Sequence, residues 1–110
     1  MAENLNYETG NSWCYDNDPS NCVTYGRLYD WSTALGACPS GWHLPSDDEW
    51  DIVVNYLGGS GVAGGKMKEA GTTHWNSPNT GATNSSGFTA LPGGYRYASG
   101  SFYSLGDYGN

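Results

Sequence analysis

The sequence has few branched aliphatic residues and few cations. Only 14 of its 110 residues are Leu, Ile, Val or Phe, a fraction at which many chains cannot build a core. Four Lys and Arg stand against eleven Asp and Glu, for a formal charge of −7. The chain therefore lacks the basic surface of nucleic-acid binders and of proteins that dock on anionic membranes. It also lacks an apolar run long enough to insert into a bilayer.

Aromatic residues supply what the aliphatic residues do not. The chain has five Trp and nine Tyr, and each such ring can bury roughly 150–250 Å². These numbers predict one loop-rich globular domain over residues 1–110 with an aromatic core, in which we place Trp31, Trp42 and Trp50.

Periodicity predicts an α+β fold. Ser46 and Glu49 have the spacing of a helix capping box, and Gly58 provides the helix stop. Between them, apolar residues recur at helical spacing: Trp50, Val53, Val54 and Leu57. A shorter helix is predicted from Leu28, Trp31 and Leu35, ending at Gly36. Residues 62–70 fit a helical turn or a strand, and short strands are predicted at 88–91, 95–97 and 102–105.

The three cysteines predict one disulfide. Cys14 and Cys22 flank a polar loop that a disulfide closes well. Free thiols and a metal site are the alternatives, although Cys38, His43 and His74 are too scattered for the usual zinc spacing. Cys38 is then left over, so it is either buried or paired with a cysteine outside this chain.

Four segments in this order resemble the Fibrobacter succinogenes major paralogous domain family: Met1–Tyr7, Tyr25–Trp31, Cys38–Ser46 and Gly87–Gly94. Residues 42–50 are also similar to a stretch of the formylglycine-generating sulfatase-modifying family. The resemblance implies a C-type-lectin-like fold, with two helices packed on short, twisted antiparallel strands. It further implies a secreted or surface-attached bacterial protein, an export signal upstream of Met1, and a continuation past Asn110 with a cysteine for Cys38, so that the chain is a shortened module.

Catalysis and cofactors are not expected. The sequence has no nucleophile elbow, metalloprotease motif or P-loop, and His43 between two apolar residues suits a structural role. Helix capping accounts for the acidic residues 47–49 without a glycosidase pair. No metal is predicted; calcium, with oxygens from Asp16 and Asp18, is the alternative, but Ser77-Pro78-Asn79 lacks the acidic residue of lectin calcium loops.

The downstream half combines aromatic rings with Asn, Ser and Gly, as loop-borne recognition surfaces do. The predicted ligand-binding residues are Trp75, Asn76, Asn79, Tyr95, Tyr97 and Tyr103. His74 also adjoins the long polar loop of residues 76–87. The alternative is that these rings serve only as core. We therefore expect a carbohydrate-binding module without enzymatic activity; the second hypothesis is a protein-interaction or structural module. A monomer is expected, or a dimer if a strand edge is exposed.

Overall fold

The computed structural model describes residues 3–109, within which it has four α-helices and two antiparallel sheets. The predicted α+β class is thus confirmed. In chain order the elements are β1 (Ser12–Trp13), α1 (Pro19–Tyr25), β2 (Leu28–Tyr29), α2 (Trp31–Ala37), α3 (Asp47–Tyr56), α4 (Ser60–Met67), β3 (Tyr95–Arg96) and β4 (Phe102–Tyr103).

The chain folds as two compact units. Residues up to 44 together with residues from 92 onward form what we call the terminal unit, and residues 45–91 form the middle unit. The terminal unit contains both sheets, with β1 paired to β2 and β3 paired to β4. The middle unit contains α3 and α4.

In the terminal unit, the predicted helix from Leu28 begins later than expected. Leu28 lies in β2, opposite Trp13 of β1. The Asp30 carboxylate accepts a hydrogen bond of 2.8 Å from the Thr33 backbone N–H, and this N-cap starts α2 at Trp31. The spacing of Leu28 was therefore misleading, because the capping residue lies between it and the helix.

The disulfide between Cys14 and Cys22 is confirmed. Cys22 lies in the helix α1. We do not predict this helix from the sequence, because the segment between the two cysteines is polar. Asp18 caps α1 by accepting from the Ser20 backbone N–H at 2.9 Å, and Pro19 occupies the first helical position. Such an Asp-Pro pair is a helix start signal in its own right.

The capped helix of the middle unit is confirmed as α3. The Ser46 hydroxyl accepts from the Glu49 N–H at 3.3 Å, and the Glu49 carboxylate accepts from the Ser46 N–H at 2.8 Å. These two bonds form the predicted capping box. The next helix, α4, packs against α3, and its Lys66 ammonium donates to the Leu57 carbonyl at 2.8 Å.

The assignment of three tryptophans to the core is wrong. Trp31, Trp42 and Trp50 are 71%, 59% and 41% exposed. In α2 the buried residue is the small Ala37. The helix α3 has no buried residue, and the buried Leu57 directly follows its last residue. Helical spacing identifies an apolar side but does not guarantee an element to cover it. The buried apolar residues include Cys14, Cys22 and Ala37 in the terminal unit and Leu57, Ala63 and Trp75 in the middle unit.

Candidate functional site

The hairpin formed by β3 and β4 sorts its side chains into two sets. Tyr95 lies opposite Tyr103, and Arg96 lies opposite Phe102. Because side chains alternate between the faces of a strand, Tyr95 and Tyr103 share one face, while Arg96 and Phe102 share the other. The first face carries a row of tyrosines that we call the tyrosine face.

A tight turn at the end of the hairpin holds Tyr97 beside Tyr103. The Gly100 N–H donates to the Tyr97 carbonyl at 2.9 Å, and the Tyr97 N–H donates to the Ser101 carbonyl at 2.8 Å. Gly100 has φ of +96°, a backbone conformation that other residues rarely adopt. The turn therefore fixes the position of the Tyr97 backbone.

The tyrosine face consists of four rings in succession: Tyr108, Tyr95, Tyr103 and Tyr97. Their neighbouring ring centroids lie 6.0, 5.8 and 6.4 Å apart in that order. These distances fall within the range of about 4.5–7 Å that is favourable for pairs of aromatic rings. Tyr97, Tyr103 and Tyr108 are 61%, 48% and 59% exposed. The contacts hold the rings in place while much of their surface remains open to solvent.

Tyr108 was missed as a site residue, because it lies outside the alternating strand segment. Backbone bonds bring it back to the hairpin: its carbonyl accepts from the Gly94 N–H at 2.9 Å, and its N–H donates to Ser104 at 3.0 Å. A Cβ on Gly94 would lie 2.6 Å from the Tyr103 carbonyl oxygen. A glycine is therefore required where the chain passes beneath the tyrosine face.

The opposite face of the hairpin anchors it to the terminal unit. The Arg96 guanidinium lies over the Trp13 ring at 4.1 Å and near the Phe102 ring at 5.8 Å. Tyr15 adds a ring contact to Phe102, with centroids 5.3 Å apart. These stacked groups give the hairpin a rigid base.

Three predicted ligand-binding residues, Trp75, Asn76 and Asn79, belong to the middle unit. Trp75 is only 6% exposed, its indole N–H donates to the Ala90 carbonyl at 3.0 Å, and the Lys68 ammonium lies 3.9 Å from its ring centroid. A ring this covered packs the unit and offers little surface for stacking.

Asn76 and Asn79 lie in the polar loop of residues 76–87, and the Asn79 side chain hydrogen-bonds to the backbone that precedes this loop. Asn79, which follows a cis Ser77–Pro78 bond, donates from Nδ2 to the carbonyls of Glu69 and Gly71 at 3.0 and 2.6 Å. The Asn76 carbonyl accepts from the Asn79 N–H at 3.2 Å, and Asn76 is exposed. Hydrogen bonding thus gives these residues a structural role in shaping the loop.

His74, which precedes the polar loop, has Glu69 as a partner. Its Nδ1 lies 2.9 and 3.0 Å from the two carboxylate oxygens of Glu69. Glu69 in turn donates its backbone N–H to Ala90 at 3.1 Å, within the segment where residues 88–91 were predicted to form a strand. That segment instead makes one isolated parallel bridge between Lys68 and Ala90.

Comparison with known proteins decides the family. The Fibrobacter succinogenes major domain profile matches residues 1–110, the whole of the chain. The chain belongs to this family. Searches of curated proteins and of solved structures found no match. The predicted family is therefore confirmed, and the family description itself states no activity.

In this Fibrobacter succinogenes major domain, the two candidate calcium ligands are Asp16 and Asp18. Asp18 caps α1, and hydrogen bonds from the Ser20 backbone and hydroxyl lower the pKa of its carboxyl group. Asp16 lies in the adjacent turn with φ of +54°. Within residues 3–109, no cluster of three or more His, Cys, Asp or Glu side chains is arranged to hold a metal ion. Cys38 is a half-buried free cysteine.

Two further ionisable groups of the domain have shifted pKa values. Hydrogen bonds from the Thr33 hydroxyl and backbone lower the pKa of the Asp30 carboxyl group. Burial raises the pKa of Tyr29, whose hydroxyl donates to the Tyr7 carbonyl at 2.8 Å. The groups that shift these two pKa values belong to the terminal unit. In the part of the chain that is described, no helix combines the length and apolar character needed to cross a membrane.

Proposed function

We propose that this domain is a non-catalytic recognition module that binds carbohydrate through its tyrosine face. The observation that carries the proposal is the row of four contacting rings, three of which are about half exposed or more. Sugar rings have apolar C–H faces that pack on aromatic rings, and tyrosine offers this surface at a low cost in side-chain entropy.

The anchoring of the tyrosine face supports binding. A ligand surface gains affinity when its side chains are ordered before the ligand arrives. Here the ring-to-ring contacts, the turn at Gly100 and the stacked Arg96 all restrict the rings in advance. The tyrosine hydroxyls add donors and acceptors for sugar hydroxyl groups.

The net charge of the chain argues against binding of single-stranded nucleic acid, which is another common function of exposed rows of aromatic side chains. Proteins that stack single-stranded nucleic acid on aromatic rings surround them with a basic groove. This chain has only four cationic Lys and Arg residues and a net charge of −7. An uncharged, hydroxyl-rich ligand fits such a surface better than a polyanion does.

Binding to polysaccharides tests the proposal directly. We expect the wild-type protein to bind at least one soluble plant or bacterial polysaccharide in a panel measured by biolayer interferometry. Tyr97→Ala and Tyr103→Ala should each weaken that binding by about tenfold, which corresponds to roughly 1.4 kcal/mol. The matched control is Tyr56→Ala, which removes a tyrosine that is 88% exposed on α3 of the middle unit.

The controls separate binding from folding. All variants should keep the circular dichroism spectrum of the wild type, since Tyr97 and Tyr103 are exposed. If no polysaccharide in the panel binds, or if Tyr56→Ala weakens binding as much as Tyr97→Ala does, the carbohydrate proposal is wrong.

We also propose a setting for the module. The Cys14–Cys22 disulfide supports export to an oxidising compartment, and we infer a secreted or surface-attached location. A C-type-lectin-like arrangement is the finer fold proposal, and it rests on the motifs of the sequence together with the observed mixture of helices and short antiparallel strands. Reaction of the exported protein with a thiol reagent, before and after reduction, would test the oxidised state.

A protein-interaction role is the second candidate, and exposed apolar residues of the terminal unit favour it. Trp31 and Leu35 lie four residues apart on α2 and are 71% and 60% exposed, so they form one apolar strip. Tryptophan is among the residues that contribute most at protein interfaces. Sedimentation of wild type and Trp31→Ser tests this role: a wild-type dimer that the substitution dissociates would support it, and a wild-type monomer would argue against self-association.

A further inference from the structure

Building on the carbohydrate-binding proposal, we infer that the tyrosine face selects an uncharged polysaccharide and discriminates against polyuronates and other acidic glycans. The charges of the terminal unit, the contacts of its two arginines and the position of the hairpin turn support this inference.

The terminal unit, which carries the tyrosine face, is strongly acidic. It contains two cationic residues of the Lys and Arg class, Arg27 and Arg96, against six acidic ones. The acidic residues are Glu3, Glu8, Asp16, Asp18, Asp30 and Asp107. The formal charge of this unit is therefore −4, which repels a polyanion over roughly the Debye length of the solution.

Both arginines are already engaged. The Arg27 guanidinium makes an ion pair of 2.9 Å with Glu8, and its side chain is mostly buried. Arg96 projects from the hairpin face opposite the tyrosines and stacks on Trp13 at 4.1 Å. The Arg27 guanidinium is thus paired and mostly buried, and the Arg96 guanidinium lies on the hairpin face opposite the tyrosines.

An acidic glycan normally needs a cationic side chain to pair with its carboxylate. A carboxylate loses its hydration when it approaches a protein, and a charge-assisted hydrogen bond to Arg or Lys normally compensates for that loss. An uncharged sugar carries no such penalty, because ring packing and hydroxyl hydrogen bonds are enough to hold it. The ring row and the engagement of both arginines among the described residues of the terminal unit therefore favour the same ligand class.

The discriminating experiment compares neutral and acidic polymers on the wild-type protein at pH 7.5. We expect a neutral β-glucan or xyloglucan to bind at least about tenfold more tightly than polygalacturonate by biolayer interferometry. Neutral binding should change by less than about twofold between roughly 20 and 500 mM salt, because screening acts on charge pairs.

A gain-of-charge variant sharpens the test. Ser99 is exposed and lies in the turn that joins β3 to β4, between Tyr97 and Gly100. Ser99→Lys should acquire polygalacturonate binding at roughly 20 mM salt and lose it at roughly 500 mM salt. It should bind the neutral polymer within about twofold of wild type. Ser99→Gln, of similar length without the charge, is the matched control and should not bind polygalacturonate.

The possible results distinguish failure of the selectivity inference from failure of the carbohydrate-binding proposal. If no polysaccharide binds, the carbohydrate function itself fails, and the selectivity fails with it. If polygalacturonate binds wild type as tightly as the neutral polymers and Tyr97→Ala abolishes that binding, the function stands and the selectivity is wrong. A Ser99→Lys protein that binds neutral polymers but still rejects polygalacturonate would also overturn the inference, because missing charge would not be the cause of rejection.

Discussion

The Tyr97 and Tyr103 rings lie edge to face, with their centroids 6.4 Å apart and their planes at 84°. In this arrangement the positive edge of one ring meets the negative face of the other, which is a favoured geometry for aromatic pairs. Because both rings are about half exposed or more, the pair holds its shape while leaving surface for a ligand.

This geometry predicts that the ring surface matters more than the hydroxyl groups. Tyr103→Phe should retain polysaccharide binding within about fivefold, because it keeps the ring and removes at most one hydrogen bond of about 1 kcal/mol. Tyr103→Ala should lose about tenfold. Isothermal titration with a soluble neutral polysaccharide measures both, and equal losses in the two variants would instead identify the hydroxyl as the main contact.

Arg96 is predicted to position the hairpin. Arg96→Lys should lower the melting temperature by several degrees, because lysine cannot reproduce the planar stack on Trp13 and Phe102, which is worth about 1 kcal/mol. Binding should weaken less than in Tyr97→Ala. Thermal unfolding and titration of the same variant separate the two effects; a variant with wild-type stability would show that the stack does not anchor the hairpin.

Trp75 is predicted to stabilise the middle unit rather than to contact the ligand. Trp75→Phe removes the hydrogen bond that the indole N–H donates to the Ala90 carbonyl. The Glu69 N–H still donates to that carbonyl, so the expected cost is that of one hydrogen bond, about 0.5–1.5 kcal/mol. We expect a lower midpoint of urea unfolding with unchanged polysaccharide affinity. A variant that unfolds at the wild-type urea concentration but binds weakly would place Trp75 in the binding site.

The Asp30 cap predicts a specific pH dependence. Its pKa is lowered in the folded protein, so its contribution to stability is present above the unfolded pKa, near 4, and is lost as pH falls through the lower folded value. Asp30→Ala should therefore lower the melting temperature at pH 7, and its difference from wild type should narrow in strong acid.

Asp30→Asn is the control for this prediction. Asparagine also caps helices well but does not ionise, so this variant should remain closer to wild type at pH 7 than the alanine variant does. Melting curves followed by circular dichroism at neutral and acid pH check the order. A difference between wild type and Asp30→Ala that does not change with pH would contradict the assigned role.

The sequence predicts local features of this domain better than it predicts burial. The capping box at Ser46 and Glu49 depends on residues three positions apart, and it is present as predicted. The Cys14–Cys22 disulfide also depends on a short, favourable loop. Burial of Trp31 or Trp50 depends instead on which other elements cover α2 and α3, and helical spacing contains no information about that.

The candidate site shows the same division. Tyr95, Tyr97 and Tyr103 are predicted as ligand-binding residues from composition, but the register that sets Tyr103 opposite Tyr95 and the contact between Tyr97 and Tyr103 come from the fold. Nothing in the spacing of Tyr108 predicts that a bond from Gly94 returns it to this face. Trp75 resembles a ligand residue in sequence because it adjoins a polar loop, yet the fold uses its ring to pack the middle unit.

Chemical-shift mapping tests the central claim most directly. In an NMR titration of the ¹³C-labelled protein with a neutral oligosaccharide that binds, the largest aromatic shifts should belong to the four rings of the tyrosine face: Tyr95, Tyr97, Tyr103 and Tyr108. Trp31 and Tyr56, which are exposed elsewhere, should shift little. Shifts concentrated on Trp31 or Trp42, with the four tyrosines unchanged, would contradict the account.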